Sequence, residues 1–517
     1  MKRSKHVLPV LAALILALCV IPLLGACAQS GAQNQAMSAA QSQSVSTSSS
    51  DTAQTVSASS ATSTISSDTA QAASSSQAAS SDTPQNTSLD PSQNEQETAA
   101  ELDFYNPGDA YQLQQVVMLS RHNIRAPLST TGSALDKATP HTWIEWTSNA
   151  SELSMRGGAL ETMMGEYARK WLESEGLIPE NYQPEEDTVR FYANSKQRTI
   201  ATAQYFSSGM LPVANVDIET HVEYDQMDPV FTPATTFISD AYVEAALEQM
   251  GTMGGATGMD NVAAGLADSY ALIEDVVDYT ESEAYKSGEL TNLDTTDTQV
   301  VLELDKEPAA LGSLKTACQL SDALVLQYYE SPNATDAAFG HNLDMEQWKQ
   351  IALTKDIYGD LLFTAPLVAA NVAHPLLEEI GSEMDAEGRV FTFLCGHDSN
   401  VGSVLAALDA EVYELPNAVE ARTPIGCKLV FERWANGSGE QFGRVRLMYQ
   451  SVDQLREGSM LAGTESPMSV ELSFKGLQKN ADGLYAYDDL RTRIANATAE
   501  YDRIVEEYGE EELAAAA

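Results

Sequence analysis

The sequence predicts an α/β protein: a central sheet covered by helices on both faces, a three-layer αβα arrangement, with a mainly helical segment inserted between its two halves. Three observations predict it. Apolar runs at Val116–Leu119, Val189–Tyr192 and Val390–Cys395 each stop abruptly at a polar turn, the pattern of buried strands ending at a functional edge. Helical spacing follows each turn, as a sheet that must bury its faces requires. Between about Phe231 and Val368 the pattern is instead amphipathic helix, broken by a glycine-rich stretch at Gly251–Gly258. That stretch is followed by no Lys-Ser or Lys-Thr, so it reads as a connection rather than a phosphate loop.

The chain begins with Lys2, Arg3 and Lys5 ahead of an apolar segment from Val7 to Leu24, interrupted by Pro9 and Pro22. This is the order of an export signal and is short and badly punctuated for a membrane span. It closes on Leu24-Gly25-Ala26-Cys27, similar to a bacterial lipobox, with Cys27 as the residue to be lipidated. An ordinary cleaved signal with an incidental cysteine is the alternative. From 28 to 101 the composition turns to Ser, Thr, Ala and Gln. Such a segment buries too little apolar surface to offset its chain entropy and is expected to be a disordered tether. The expected organisation is therefore 1–27 signal, 28–101 linker, 102–230 with 369–510 as the α/β domain, and 231–368 as the helical insert.

With 29 Lys and Arg against 74 Asp and Glu, the formal net charge is −45. This disfavours nucleic acid or an anionic membrane surface as a partner. It does not exclude an anionic small substrate, because repulsion is screened over about 8 Å at physiological salt and a local arginine cluster can dominate. Beyond the leader, Cys318, Cys395 and Cys427 are an odd number for a disulfide framework. Cys395 and Cys427 lie in strand-like runs and read as small core residues.

The turn after the first strand holds Arg121, His122 and Arg125 within five positions. Two guanidiniums suit a tetrahedral dianion, and a neutral imidazole between them could attack its phosphorus. A surface turn with solvated basic residues is the competing reading. After the second strand, Arg198 lies near a helix start, where unpaired backbone N–H groups favour anions. After the third comes Gly396-His397-Asp398-Ser399-Asn400, 275 positions beyond the first turn. Neighbouring parallel strands would bring the two turns to one edge. Asp398 simply capping the following helix, begun by Val404, is the plainer alternative.

Arg121-His122-Asn123-Ile124-Arg125-Ala126-Pro127 resembles the Arg-His-Gly-x-Arg-x-Pro signature of the histidine acid phosphatases, on the branch that includes bacterial phytases and glucose-1-phosphatases. Asn123 in place of Gly looks like the glucose-1-phosphatase version, and Asn tolerates positive φ better than most residues. Ser195-Lys196-Gln197-Arg198-Thr199 and Gly396-His397-Asp398-Ser399-Asn400 are similar to two further stretches of the family, as is Glu420-Ala421-Arg422-Thr423-Pro424. The resemblance implies an insert that roofs the active site. It implies His122 as nucleophile, Arg121, Arg125, Arg198 and His397 as phosphate ligands, a protonated Asp398 as acid and then base, and Glu307 as a substrate contact. It also implies disulfides whose cysteines are missing here. No metal or other cofactor is expected; His6, His141, His221, His341 and His374 show no ligand spacing. The implied activity is hydrolysis of sugar phosphates such as glucose 1-phosphate through a phosphohistidine, with inositol hexakisphosphate as a further substrate. A phytase or broad acid phosphatase is the near alternative, and a non-catalytic sugar-phosphate-binding lipoprotein the distant one.

Overall fold

A computed structural model describes residues 106–128, 134–458, 461 and 465–515. The signal segment, Cys27 and the Ser-rich linker lie outside the described residues. Strand β1 (Tyr111–Arg121) is buried along almost its whole length. Its alternate residues serve opposite faces, Val116 and Met118 one core and Val117 and Leu119 the other. That is why its central stretch, Val116–Leu119, is a continuous apolar run rather than an alternation. After the one-turn helix α1 (Ala134–Lys137), α2 (Met155–Ser174) starts at Ser154, whose hydroxyl accepts from Gly157 N. Strand β2 (Val189–Ala193) then leads into α3 (Gln197–Met210).

The next helices are α4 (Asp240–Met250), α5 (Ala267–Val276) and the short α6 (Glu283–Lys286). A small antiparallel pair, β3 (Gln299–Val301) and β4 (Ala309–Leu311), interrupts them. Then come α7 (Ser313–Glu330), the one-turn α8 (Ala334–Ala337) and α9 (Met345–Phe363). These helices bury a third core around Leu324, Tyr329, Trp348, Ile351 and Leu362, which also takes in Ile124 of the β1 turn and Leu160 of α2. Helix α10 (Pro366–Asp385) returns the chain to the sheet. The domain boundary expected at 368 thus falls inside α10, which Pro366 opens. Glu307, in the segment expected as the mainly helical insert, lies on its β3–β4 connection.

Strand β5 (Phe391–Gly396) and helix α11 (Asp398–Ala407) follow. The helix begins six residues before the expected Val404, so His397 rather than Asp398 is the cap. Strands β6 (Lys428–Asn436) and β7 (Gln441–Tyr449) form a hairpin. Helix α12 (Val452–Glu457), strand β8 (Met468–Glu471), the two-residue β9 (Tyr485–Ala486) and the long α13 (Tyr487–Ala515) complete the chain.

The sheet order is β2-β5-β1-β6-β7-β8, with β9 also on β7. Strands β1 and β2 run parallel to β5, while β6 onward alternate. One face is covered by α2 and α3, through Tyr167, Trp171 and Phe206. The other is covered by α10, α11 and α13, through Leu377, Val404 and Leu490. Cys395 and Cys427 are buried in these two cores as free thiols.

Candidate active site

The β1–β5 register pairs Ser120 with Cys395 and Arg121 with Gly396. One residue further, the two strands release His122 and His397 side by side, their rings 5.5 Å apart. His122 N still donates to Gly396 O at 3.1 Å, so strand pairing itself sets the spacing of the imidazoles. Asn194, at the end of β2, joins the same edge by donating its backbone N–H to Cys395 O at 3.0 Å. Three strand ends converge where an open α/β sheet presents its ligand site.

The β1 turn is held from behind. Ser154 N donates to Ile124 O at 2.9 Å, which brings the start of α2 against the turn. A Cβ at Gly157 would lie 2.3 Å from Ile124 O, so glycine is what permits this approach. Asn123 turns inward, away from the site. Its Nδ2 donates to Glu161 Oε1 at 2.7 Å, and Lys428 Nζ donates to the same oxygen at 2.8 Å. Both charged side chains are fully buried. Gly426, at φ +68°, passes so close that a Cβ there would meet Asn123 Nδ2 at 2.5 Å.

His122 Nδ1 lies 2.9 Å from Asn123 O. A carbonyl only accepts, so this contact places the proton on Nδ1 and leaves the Nε2 lone pair free. Burial first, and then Arg198, Arg125 and Arg121, hold its pKa well below the usual histidine value. This favours the neutral ring. His397 is fixed in the same tautomer, but through its other nitrogen. Asn194 Oδ1 accepts from Asp228 N at 2.9 Å, which orients the amide so that Nδ2 donates to His397 Nε2 at 2.7 Å. The His397 proton is therefore on Nδ1, the nitrogen 3.5 Å from Arg198 Nη2. Burial and Arg198 also keep this imidazole uncharged.

Arg121 donates to Glu420 Oε1 at 2.9 Å and to Thr423 O, and its Nη2 lies 3.5 Å from Asp398 Oδ2. Arg125 is held by Asp322 of α7 at 3.0 Å. Burial and the facing Arg125 lower Arg198 to about 10, which leaves it charged at any pH of interest. The Nε atoms of Arg121, Arg125 and Arg198 are buried without a partner. Three guanidiniums held by strand-end and helix contacts, with donor capacity to spare, form a clamp whose chemistry suits a tetrahedral dianion.

Asp398, first residue of α11, has Oδ1 on its neighbour's Ser399 N at 2.9 Å and Oδ2 on Lys355 Nζ at 2.6 Å. Burial favours its neutral form, but Lys355, Arg121 and His122 outweigh burial and hold the carboxyl well below the usual range. The sequence expectation of a protonated Asp398 therefore meets a carboxylate. Glu307 is solvent-exposed, yet enough protein surrounds it to push its carboxyl upward against the pull of Arg198. It also acts on Arg198 electrostatically. Among the described residues no group of three or more His, Cys, Asp or Glu side chains is arranged to hold a metal.

Sequence reasoning did not single out Asn194, Lys355, Asp322 or the Glu161–Lys428 pair. Lys355 had a signal: Trp348, Ile351, Ala352 and Leu362 form the buried stripe of α9, and residue 355 falls on that stripe where an apolar side chain is expected. The buried pair had none, because 161 and 428 are linked only through the fold.

Comparison with known proteins agrees with this geometry. A glucose-1-phosphatase of Salmonella typhimurium is 39% identical over 385 residues, 74% of this chain and 91% of that protein. One of Providencia rettgeri is 37% identical over 393 residues, 74% of this chain and 92% of that protein. Among solved structures, a Hafnia alvei phytase superposes with a TM-score of 0.69 at 26% identity, covering 75% of this chain and 98% of that one. The sequence model of branch 2 of the histidine phosphatase superfamily matches residues 112–450, a span that includes both strand-end turns and every clamp residue, and on this match the chain belongs to that superfamily.

Proposed function

We propose that the protein is an acid phosphatase that hydrolyses sugar phosphates such as glucose 1-phosphate through a phosphohistidine at His122. The observation that carries this reading is the state of His122: a neutral imidazole, tautomer set by Asn123 O, lone pair free, ringed by three guanidiniums. Such a group is a nucleophile at acidic pH while the clamp remains fully charged.

In the first step His122 Nε2 attacks phosphorus and the bond to the sugar oxygen breaks. Arg121, Arg125, Arg198 and the His397 Nδ1–H hold the phosphoryl oxygens and take up their charge. The leaving oxygen receives a proton from Asp398. That proton arrives with the substrate, since a phosphomonoester is largely a monoanion below about pH 6. The bound phosphate's negative charge also offsets Lys355 and Arg121, so Asp398 gains proton affinity when the site fills. In the second step Asp398 takes a proton from water, the water oxygen attacks phosphorus, and the bond to Nε2 breaks. The departing phosphate takes that proton from Asp398, so the carboxylate and the neutral His122 imidazole are both restored. Glu307 would face the sugar rather than the phosphate, on the Arg198 side of the site.

A phytase activity is the second reading; it is favoured by a phytase of Escherichia coli, 27% identical over 394 residues, and by the phytase superposition. Residues 231–368 are proposed as a roof over a site built by 102–230 and 369–510. Residues 1–27 are proposed as an export signal with Cys27 as a lipid anchor, and 28–101 as the tether. Phosphate release from glucose 1-phosphate and from phytate, side by side at mildly acidic pH with His122→Ala as control, tests the assignment. Preference for glucose 1-phosphate, abolished by the substitution, supports it. Faster phytate turnover moves the name to phytase, and no turnover of either sinks the enzyme reading.

A further inference from the structure

Helix α9 belongs to the helical segment, not to the sheet, yet it delivers one cation into the catalytic edge. Lys355 Nζ lies 2.6 Å from Asp398 Oδ2, and its side chain is only 14% exposed. With Ser399 N on Oδ1 and Arg121 Nη2 at 3.5 Å from Oδ2, both carboxylate oxygens are engaged. A carboxyl so held carries a proton only when one of these contacts is given up. Arg121 is not free to move, because Glu420 and Thr423 O fix it from behind. Lys355, on a flexible four-carbon stem with three rotatable donors, is the contact that yields.

We propose that Lys355 is a positioning residue for the proton shuttle: it locks Asp398 in the unprotonated form until a phosphoryl group draws it off, and so confines turnover of poor leaving groups to acidic solution. The proposal rests on the reading of Asp398 as that shuttle. The charged groups facing the pair come from several elements. Arg121 and His122 of the β1 turn face Asp398. Asp322 of α7 and Glu420, ahead of β6, face Lys355. Cys318 of α7 feels both members of the pair, and Asp356, next on α9, feels Lys355. Arg121 stays charged throughout, so removal of Lys355 takes away one of two cations, not all of the field.

The test uses the full chain and compares kcat against pH for glucose 1-phosphate, whose sugar oxygen needs a proton to leave, and for p-nitrophenyl phosphate, whose phenolate does not. In Lys355→Met the descending limb for glucose 1-phosphate moves to higher pH by about 1–3 units, the range a lost opposite charge gives a carboxyl. The limb for p-nitrophenyl phosphate stays where it is, and Lys355→Arg restores the original profile. Lys355→Gln, neutral but able to donate, gives the same shift as Met and serves if the methionine variant does not fold. An unshifted limb, or an equal fall on both substrates at every pH, overturns the proposal and leaves Lys355 a phosphate ligand or a packing residue. Full glucose 1-phosphate turnover by Asp398→Asn overturns instead the shuttle reading beneath it.

Discussion

Lys428→Met is expected to cost stability in a pH-dependent way, because it strands Glu161 behind the catalytic turn. Lys428 Nζ and Glu161 Oε1 are 2.8 Å apart with both side chains fully buried. At an effective dielectric constant of about 20 that separation corresponds to an attraction of about 6 kcal/mol. Removing one partner of a buried pair costs about 3–5 kcal/mol, since the other charge is left in a poor solvent. Lys428 also donates to Gly426 O at 2.7 Å, and an orphaned carbonyl adds a pH-independent loss of about 1–3 kcal/mol. The two parts separate on titration. Burial already raises the Glu161 carboxyl above its usual value, against the opposing pull of Lys428 and Asn123. Without Lys428 it rises further. A carboxyl whose folded pKa lies above its unfolded one binds more protons folded than unfolded, so stability falls as pH climbs from about 4.3 through the new value, then levels. The variant therefore carries a smaller penalty at pH 4.5 than at pH 8, whereas Glu161→Gln with Lys428→Met loses the pH-dependent part. Urea unfolding followed by circular dichroism at the two pH values measures this. A penalty equal at both, or below about 1 kcal/mol at pH 8, refutes the account of the pair.

Other predictions follow from the same geometry. Gly157→Ala places a Cβ 2.3 Å from Ile124 O; the overpacking costs about 1–3 kcal/mol and the displaced turn lowers kcat by about 100-fold, read from unfolding and initial rates. The ascending limb of kcat/KM lies well below pH 6.5, because His122 must lose its proton to attack and burial with three arginines keeps that proton off. A limb near 6.5 contradicts that. Inorganic phosphate at about 100 times its Kd stabilises the protein by about 2.7 kcal/mol in thermal unfolding, and Arg198→Ala removes most of the gain. Asn194→Ala frees the His397 ring to adopt the other tautomer and lowers kcat more than it raises KM.

The residues that meet at the sheet edge come from stretches that stand out in the local sequence. Arg121, His122, Arg125, Arg198, His397 and Asp398 each follow a strand that announces itself as an apolar run, and parallel pairing of β1 with β5 is what a shared edge requires. The sheet is mixed from β6 onward because β6 and β7 are joined by a tight hairpin, which periodicity alone does not separate from parallel strands. Glu307 lies, within the segment expected to be mainly helical, between two three-residue strands that are too short to leave a period-2 pattern. The start of α11 was placed late, since Asp398-Ser399-Asn400 reads as a capping turn and is in fact its first turn. What no local pattern carries is pairing across long separations: Lys355 with Asp398, Asp322 with Arg125, Glu161 with Lys428. Each of these comes from a residue whose own neighbourhood is ordinary helix or strand, and each decides the protonation or the orientation of a residue that sequence did identify.

The central claim is that a phosphoryl group passes through His122. Rapid mixing with glucose 1-phosphate carrying labelled phosphorus, quenched into alkali where phosphohistidine survives, followed by peptide mass spectrometry, tests it directly. The account predicts label on His122 within one turnover, absent in His122→Ala and retained on the clamp variants that still bind. Steady turnover with no label on His122, or label on another residue, contradicts it.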